Sequence, residues 1–278
     1  MRYRLLFSLV ALMCPLSVAA VCVPDPAGQA PAVLWPKDKD GVIWIPYRTE
    51  GLSDDVKFMF LDAAGMWDTA TTSKVRFVES SQKPACSDIK IIMNIPGTTR
   101  PGCRASIGFV AEMPPPGAFV AIGGCPTNGH VAHELGHVLG LHHEHQHCER
   151  DTYITRQALP PSIQYSALGL EQIKNRTRYP QPRPYNYLSI MHYALFLEDT
   201  TDLNNFLVGA TKKTQLFRLS QDQRSRFLQA TGSSNQNLIG DWTRGITTGD
   251  VAALDLLYTL AAQSKEPGRI APEIRVCK

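Results

Sequence analysis

The sequence predicts an α+β fold, and three observations carry that prediction. Short runs rich in β-branched and aromatic residues recur through the first half, at 42–47, 75–79 and 89–95, with a helix-spaced segment between the first two. Seven of the eight histidines (130, 133, 137, 142, 143, 145 and 147) crowd into the eighteen residues 130–147. Residues 155–186 are polar and dotted with proline, so no regular element is expected there. Together they describe a mixed sheet and helix in the N-terminal half, a histidine-bearing helix, and a largely irregular C-terminal half with helices near its end.

Residues 1–20, MRYRLLFSLVALMCPLSVAA, open with Arg2 and Arg4, run apolar from Leu5 to Met13 and end in small residues. That is the three-part pattern of a secretory signal, with cleavage expected after Ala20. A membrane anchor needs about 20 continuous apolar residues, and this run is shorter and broken by Pro15. Cys14 is not a lipid anchor, because bulky Met13 precedes it. No later stretch has spanning length, so a soluble secreted protein, extracellular or periplasmic, is expected.

Residues 21–33 are rich in Pro, Ala and Gly and read as a short irregular prosegment or N-terminal extension. VIWIPY (42–47) reads as a strand. Val56, Met59, Phe60, Ala63, Met66 and Trp67 then recur at helical spacing over 54–69, with Ser53 as N-cap. VRFVE (75–79) and IKIIMNI (89–95) read as strands, and 106–111 and 118–122 as two short strands joined by Pro114, Pro115, Pro116 and Gly117. Residues 129–140 form the histidine helix. Residues 220–231 and 248–262 are helical by periodicity, the latter with Thr247 or Thr248 at its cap. The last twenty residues, 259–278, fade into a charged tail.

Composition bounds the function. The chain has 278 residues, 44% hydrophobic and 19% charged, with a net charge of +3; without the first twenty residues it falls to +1. That is globular, and without the basic excess of a nucleic-acid binder. Six cysteines remain beyond Cys14 (22, 86, 103, 125, 148 and 277), an even number suited to disulfides in an oxidising compartment. None forms a CxxC pair, which argues against a thiolate zinc site.

The chemistry concentrates in HELGHVLGLHHE, residues 133–144. Residues four apart share a helix face, so His133 and His137 project side by side toward one metal. Gly140 lets the helix end with positive φ and the chain turn sharply. The turn returns His143 as a third ligand. Three neutral imidazoles suit a single Zn²⁺ and leave a coordination position for water, which separates a catalytic zinc from a structural one. Glu134 stands beside that water and can take its proton. A lone HExxH recurs by chance, but a glycine and a third histidine at these offsets make the signal specific. His130, His142, His145 and His147 lack that spacing and are expected around the ligands or on the cleft rim, at the surface rather than on the metal. Downstream, YNYLSIMHY (185–193) offers Met191 as an apolar floor under the imidazoles, and Tyr193 within reach of the metal or the reacting carbonyl.

With these residues the chain resembles the metzincins and, through Glu144 after the third histidine and Tyr193 after the Met-turn, the astacin family of zinc endopeptidases. HEHQHCERDTYI (143–154), CRASIGFV (103–110), IGGC (122–125), WP (35–36), IPY (45–47), VRFV (75–78) and IGDWTRGITTGDVAALDLLY (239–258) resemble further family landmarks. The resemblance implies a zincin-like domain over 34–258: a mainly parallel twisted sheet with two helices in the N-terminal half, an irregular C-terminal half with a C-terminal helix, and zinc in the cleft between. It implies an endopeptidase acting on proteins or peptides as a monomer, with Glu134 as general base and acid. Tyr193 would be a fifth ligand at rest that swings to the oxyanion. Substrate would pair with an edge strand around 106–112, and a basic side chain, with 212–218 a candidate, would favour an acidic residue after the scissile bond. The resemblance also implies a Cys103–Cys125 disulfide, leaving Cys22, Cys86, Cys148 and Cys277 with three connectivities.

The chain departs from the family at Lys74, where a cysteine usually stands, and has no cysteine just after Tyr258. Its prosegment is short. Cys22-Val23-Pro24-Asp25 faintly resembles a latency motif, so Cys22 or Asp25 could cap the zinc in a zymogen; a structural disulfide from Cys22, for instance to Cys148, is the alternative. The competing reading of the whole chain is a zinc-stabilised binding or adhesion module on the same fold, which would not need Glu134.

Overall fold

A computed structural model describes residues 33–80, 88–109, 118–158, 170, 172, 185–198 and 213–263. The signal sequence, Cys22, Asp25, Cys86, Cys277 and residues 264–278 lie outside these residues.

Five strands form one sheet in the order β2-β1-β3-β5-β4. β1 (Ile43–Arg48), β2 (Val75–Glu79), β3 (Ile89–Ile92) and β5 (Phe119–Ala121) run parallel, and β4 (Arg104–Ala105) is antiparallel to β5 at the edge. Along β1 the side chains of Ile43, Ile45 and Tyr47 are buried, while Trp44 points outward, the alternation a one-sided core requires. Pro46 is tolerated inside this strand because β3 pairs with β1 only from Tyr47 onward, so no ladder bond is lost. The edge strand starts two residues earlier than the sequence periodicity suggests. Arg104 faces Ala121 and Ala105 faces Val120, and Ser106 donates to the Phe119 carbonyl just beyond the paired residues.

Two helices cover one face. α1 (Asp54–Ala70) buries Phe60, Ala63, Ala64 and Trp67, the i, i+3, i+4, i+7 stripe of a helix on a core. Ser53 precedes it in an extended conformation without a side-chain cap; Asp54 and Asp55 instead place negative charge at the positive end of the helix. α2 (Asn128–Val138) packs on α1 and is buried along nearly its whole length. Two tryptophan indoles lock it, Trp67 Nε1 donating to Ala132 O at 2.9 Å and Trp35 Nε1 to Val138 O at 2.9 Å.

The remaining described residues build a second cluster around Ile154, Leu170, Tyr185, Tyr187, Leu195, Leu216, Phe217, Leu219, Phe227 and Ile239. Its regular parts are α3 (Arg150–Tyr153), β6 (Thr155–Arg156) paired with β9 (Phe217–Arg218), β7 (Phe196–Glu198) paired with β8 (Lys213–Gln215), and α4 (Gln221–Thr231). α4 carries a full capping box at Ser220 and Gln223 and ends on Gly232 at φ 67°. α5 (Thr248–Gln263) then returns to the first cluster, burying Ala253, Leu254, Leu257, Tyr258 and Ala261 there. Among the described residues no helix is long and apolar enough to cross a membrane.

Candidate active site

α2 presents His133 and His137 four residues apart on one face, both buried. The helix ends where Gly140 takes φ +97°. Leu141 N donates to Gly136 O at 3.0 Å and Gly140 N to His137 O at 2.8 Å, the paired bonds of a Schellman turn. A side chain at 140 would also strike Leu34, its Cβ lying 2.5 Å from Leu34 Cδ2, so both conformation and space demand glycine. The turn does two things at once: it brings His143 back toward the helix, and it sets the Leu141 carbonyl 2.8 Å from His137 Nδ1.

Those carbonyl contacts decide where the ring protons sit. His137 Nδ1 donates to Leu141 O, and His133 Nδ1 donates to Ile190 O at 2.7 Å, so in the neutral rings Nε2 carries a lone pair. The Nε2 atom of His143 converges on both: His137 to His143 is 3.1 Å and His143 to His133 is 3.2 Å. Burial pushes every one of these imidazoles to lower pKa, that of His137 to about 4, so all three rings favour the neutral form that binds a metal. Metal–nitrogen bonds of about 2.0–2.1 Å at tetrahedral angles separate ligand nitrogens by about 3.3 Å. The trio therefore has the chemistry and the spacing of a three-coordinate cradle for such a cation.

Glu134 is 6% exposed beside the trio. Burial pushes its carboxyl up to about 8, against the opposing charge of Arg104 and a backbone hydrogen bond from Ala105, both on the edge strand. Tyr193 packs at 4.5 Å from the His143 ring and 4.4 Å from His145. Its phenol is held well above the usual tyrosine range by burial first and by the Glu134 charge second, so its hydroxyl keeps its proton. Met191, 2% exposed, lies under the helix, and a Cβ at Gly136 would overlap its sulfur. Glu144 accepts from Asn186 N at 2.9 Å, and its own N–H donates to Met191 O at 2.8 Å, which ties the third-histidine loop to the turn below. Cys103 and Cys125 are joined by a disulfide that brackets the edge strand. Cys148 is also disulfide-bonded, with its partner outside the described residues.

One sequence expectation needs correction. His145 and His147 are fully buried rather than at the surface. His145 stacks on His143 at 4.7 Å and accepts from Tyr193 N, and His147 packs edge-on to Tyr185, so aromatic contacts shelter both from water. Of the 212–218 segment, Leu216 and Phe217 belong to the second core and Arg218 is exposed on β9.

Three residues carry contacts to the site that the sequence reading does not assign. The Trp242 ring stacks on His133 at 4.3 Å, and its Nε1 donates to His192 O at 2.8 Å. His192 is buried; it donates from Nδ1 to the Tyr193 carbonyl at 2.5 Å and accepts at Nε2 from the Tyr185 hydroxyl at 2.6 Å. Asp250, at the start of α5, reaches the turn that holds Met191.

A family model described as Astacin, a peptidase family, matches residues 32–215. Tolloid-like protein 1 of Homo sapiens is 33% identical over 177 residues, 62% of this chain and 15% of that relative. Bone morphogenetic protein 1 of Xenopus laevis is 33% identical over 169 residues, 59% of this chain and 21% of the relative. Zinc metalloproteinase nas-5 of Caenorhabditis elegans is 32% identical over 169 residues, 57% and 43% of the two chains. The matched part thus spans less than half of each of these relatives. Among solved structures, high choriolytic enzyme 1, a hatching enzyme zinc-protease from Oryzias latipes, shares the fold with a TM-score of 0.56 at 22% identity, over 81% of this chain and 94% of that one. Because the family match runs unbroken from the sheet through the histidine helix and past the turn at Met191, well over half of the sequence, the chain belongs to the astacin family of peptidases.

Proposed function

We propose that this protein is a secreted zinc-dependent endopeptidase, with His133, His137 and His143 holding one Zn²⁺. The observation that carries the reading is the convergence of three buried imidazole Nε2 atoms, two of them freed of a proton by their Nδ1 contacts, beside the buried Glu134 carboxyl and near β4, which pairs only with β5 among the described residues. Zinc, when bound, supplies the Lewis acid that polarises the scissile carbonyl and makes an attacking water acidic. The rest is the work of side chains. Glu134, whose carboxyl the charge of a dication on the trio would draw back to its ionised form, takes the proton of the attacking water and returns it to the departing amine. Tyr193, kept neutral by burial, donates its hydroxyl hydrogen bond to the developing oxyanion. Met191 gives the imidazoles an apolar floor. An extended substrate adds alongside β4, where main-chain bonds set register and side-chain pockets set specificity. The Arg104 guanidinium on that strand favours substrates with an acidic side chain near the scissile bond.

The test is cleavage of casein by the purified, processed protein, lost with a chelator, restored by zinc, and absent in Glu134→Gln with zinc still bound. Casein left intact by the zinc-loaded protein would favour the binding-module reading instead. Residues 21–33 are proposed to restrain activity through Cys22 or Asp25. Trimming them should then raise turnover, and unchanged activity would remove the switch.

A further inference from the structure

The acceptor for His133 Nδ1 is a main-chain carbonyl, that of Ile190, and it is only as fixed as the turn that carries it. That turn, Ser189–His192, is closed by His192 N donating to Ser189 O at 3.0 Å and by Met191 N donating to Ser189 Oγ at 2.9 Å. Two donors then remain to be satisfied in a place sealed from water, since Ser189 and Ile190 are 3% and 1% exposed. Both are met by Asp250, sixty residues away: Ser189 Oγ donates to Oδ1 at 2.5 Å and Ile190 N to Oδ2 at 3.2 Å.

The same carboxylate caps α5. Thr247 N and Thr247 Oγ1 each donate to Asp250 Oδ2 at 2.8 Å, and Asp250 N donates back to Thr247 Oγ1 at 3.2 Å, a reciprocal capping box. Asn186 Nδ2 donates to Thr247 Oγ1 at 2.8 Å, and Gly249 has no room for a Cβ beside Asn186, so the helix start is pressed against the chain leading into the turn. One residue therefore welds α5, itself docked in the first core, to the loop that orients a metal-binding ring.

We propose that Asp250 is a positioning residue for the metal centre: by holding the Ser189–Met191 turn it fixes the Ile190 carbonyl, hence the Nδ1–H tautomer and ring angle of His133, and so the direction of its Nε2 lone pair. The proposal rests on the zinc-peptidase reading and specifies which remote group tunes its metal. Burial raises the Asp250 carboxyl pKa while the bonds from Ser189, Thr247 and Ile190 oppose the rise. In an amide at this position an NH2 group replaces one of the two accepting oxygens and sets a donor against a donor.

The experiment measures the rate at which zinc passes from the full-length, processed protein to a chromogenic chelator, together with the visible spectrum of the Co²⁺-substituted protein. Partners that orient ligand histidines typically change metal affinity by about 10- to 100-fold. Asp250→Asn is expected to release zinc faster by that factor and to shift the Co²⁺ bands. Thr247→Val is the control, losing the α5 cap and thermal stability while releasing zinc at the wild-type rate. Asp250→Asn within about twofold of wild type, or Thr247→Val as leaky as Asp250→Asn at equal thermal loss, overturns the proposal. Should Asp250→Asn fail to fold, Ser189→Ala, which removes a single oxygen from the link, is judged by the same criterion. A wild-type protein that takes up no zinc overturns the peptidase reading itself; tight wild-type zinc with unaffected variants overturns this inference alone.

Discussion

Gly136 offers a sharp test of the floor beneath the histidines. It lies within α2, where exchanging glycine for alanine ordinarily stabilises a helix by about 1 kcal/mol. At this position a Cβ would overlap Met191 Sδ and sit 3.3 Å from Met191 Cε and 3.2 Å from the Trp67 ring. Normal contact is about 3.5–4.0 Å, so the sulfur must retreat by about 1 Å into a packed core. Overpacking of this kind costs about 1–3 kcal/mol, enough to cancel or reverse the helix gain. Gly65, within α1, is the matched control: a Cβ there meets nothing within 4 Å, and Gly65→Ala should stabilise by about 1 kcal/mol. Thermal unfolding of both variants, with and without chelator, reads the difference. At about 2–4 °C per kcal/mol for a protein of this size, Gly136→Ala should melt several degrees below Gly65→Ala and lose zinc faster than wild type. If Gly136→Ala raises the midpoint as much as Gly65→Ala and holds zinc normally, Met191 is not packed against this helix as described.

Replacing Tyr193 with Phe should lower kcat by about a hundredfold while zinc content stays at one per chain; undiminished turnover would remove Tyr193 from the oxyanion role. The Cys103–Cys125 bridge spans 22 residues, so its loss in the double serine variant should cost about 3 kcal/mol in chemical denaturation, and a loss under about 1 kcal/mol would show the loop to be held by other means. Burial pushes the His192 imidazole down to about 4, whereas in the unfolded chain it protonates near 6.5. Between those values the unfolded state binds the extra proton, so the stability contributed by neutral His192 is whole above pH 6.5 and falls by about 3 kcal/mol as the pH drops to 4. His192→Gln should show a shallower loss over that window, by about one proton; an identical slope would mean that His192 does not stay neutral.

What the sequence discloses is local. The convergent histidine trio can be read because helix geometry fixes residues four apart and because only glycine accommodates the turn at 140; both constraints act within eleven residues. The helices at 54–69, 220–231 and 248–262 are legible from period alone, to within a residue or two of their observed ends. What stays hidden depends on contacts across long separations. Trp242 reaches His133 and Asp250 reaches Ile190 over 109 and 60 positions, and the stretch 239–258, though it resembles a family landmark, does not say which distant residue either one meets. His145 and His147 look like rim residues because polarity suggests exposure; ring-on-ring packing with Tyr193, Phe217 and Tyr185 reverses that. The edge strand is displaced by two residues from its expected start because a two-residue strand has no period to detect.

The return of α5 to the first core bears on how the molecule is made. Ala253, Leu254, Leu257, Tyr258 and Ala261 complete a cluster whose other buried members come from residues 34 to 191. Because the N-terminal part of a chain emerges first, that cluster cannot close until the segment from 248 onward is present. A chain lacking that segment would leave an apolar seam beside the histidine helix with no cover. Contacts of such sequence separation also slow folding, because loop closure must precede their reward. The late helix thus acts as the closing stitch of the protein. A truncation just before Thr248 should yield an aggregation-prone fragment with exposed core, even though the three ligand histidines are intact.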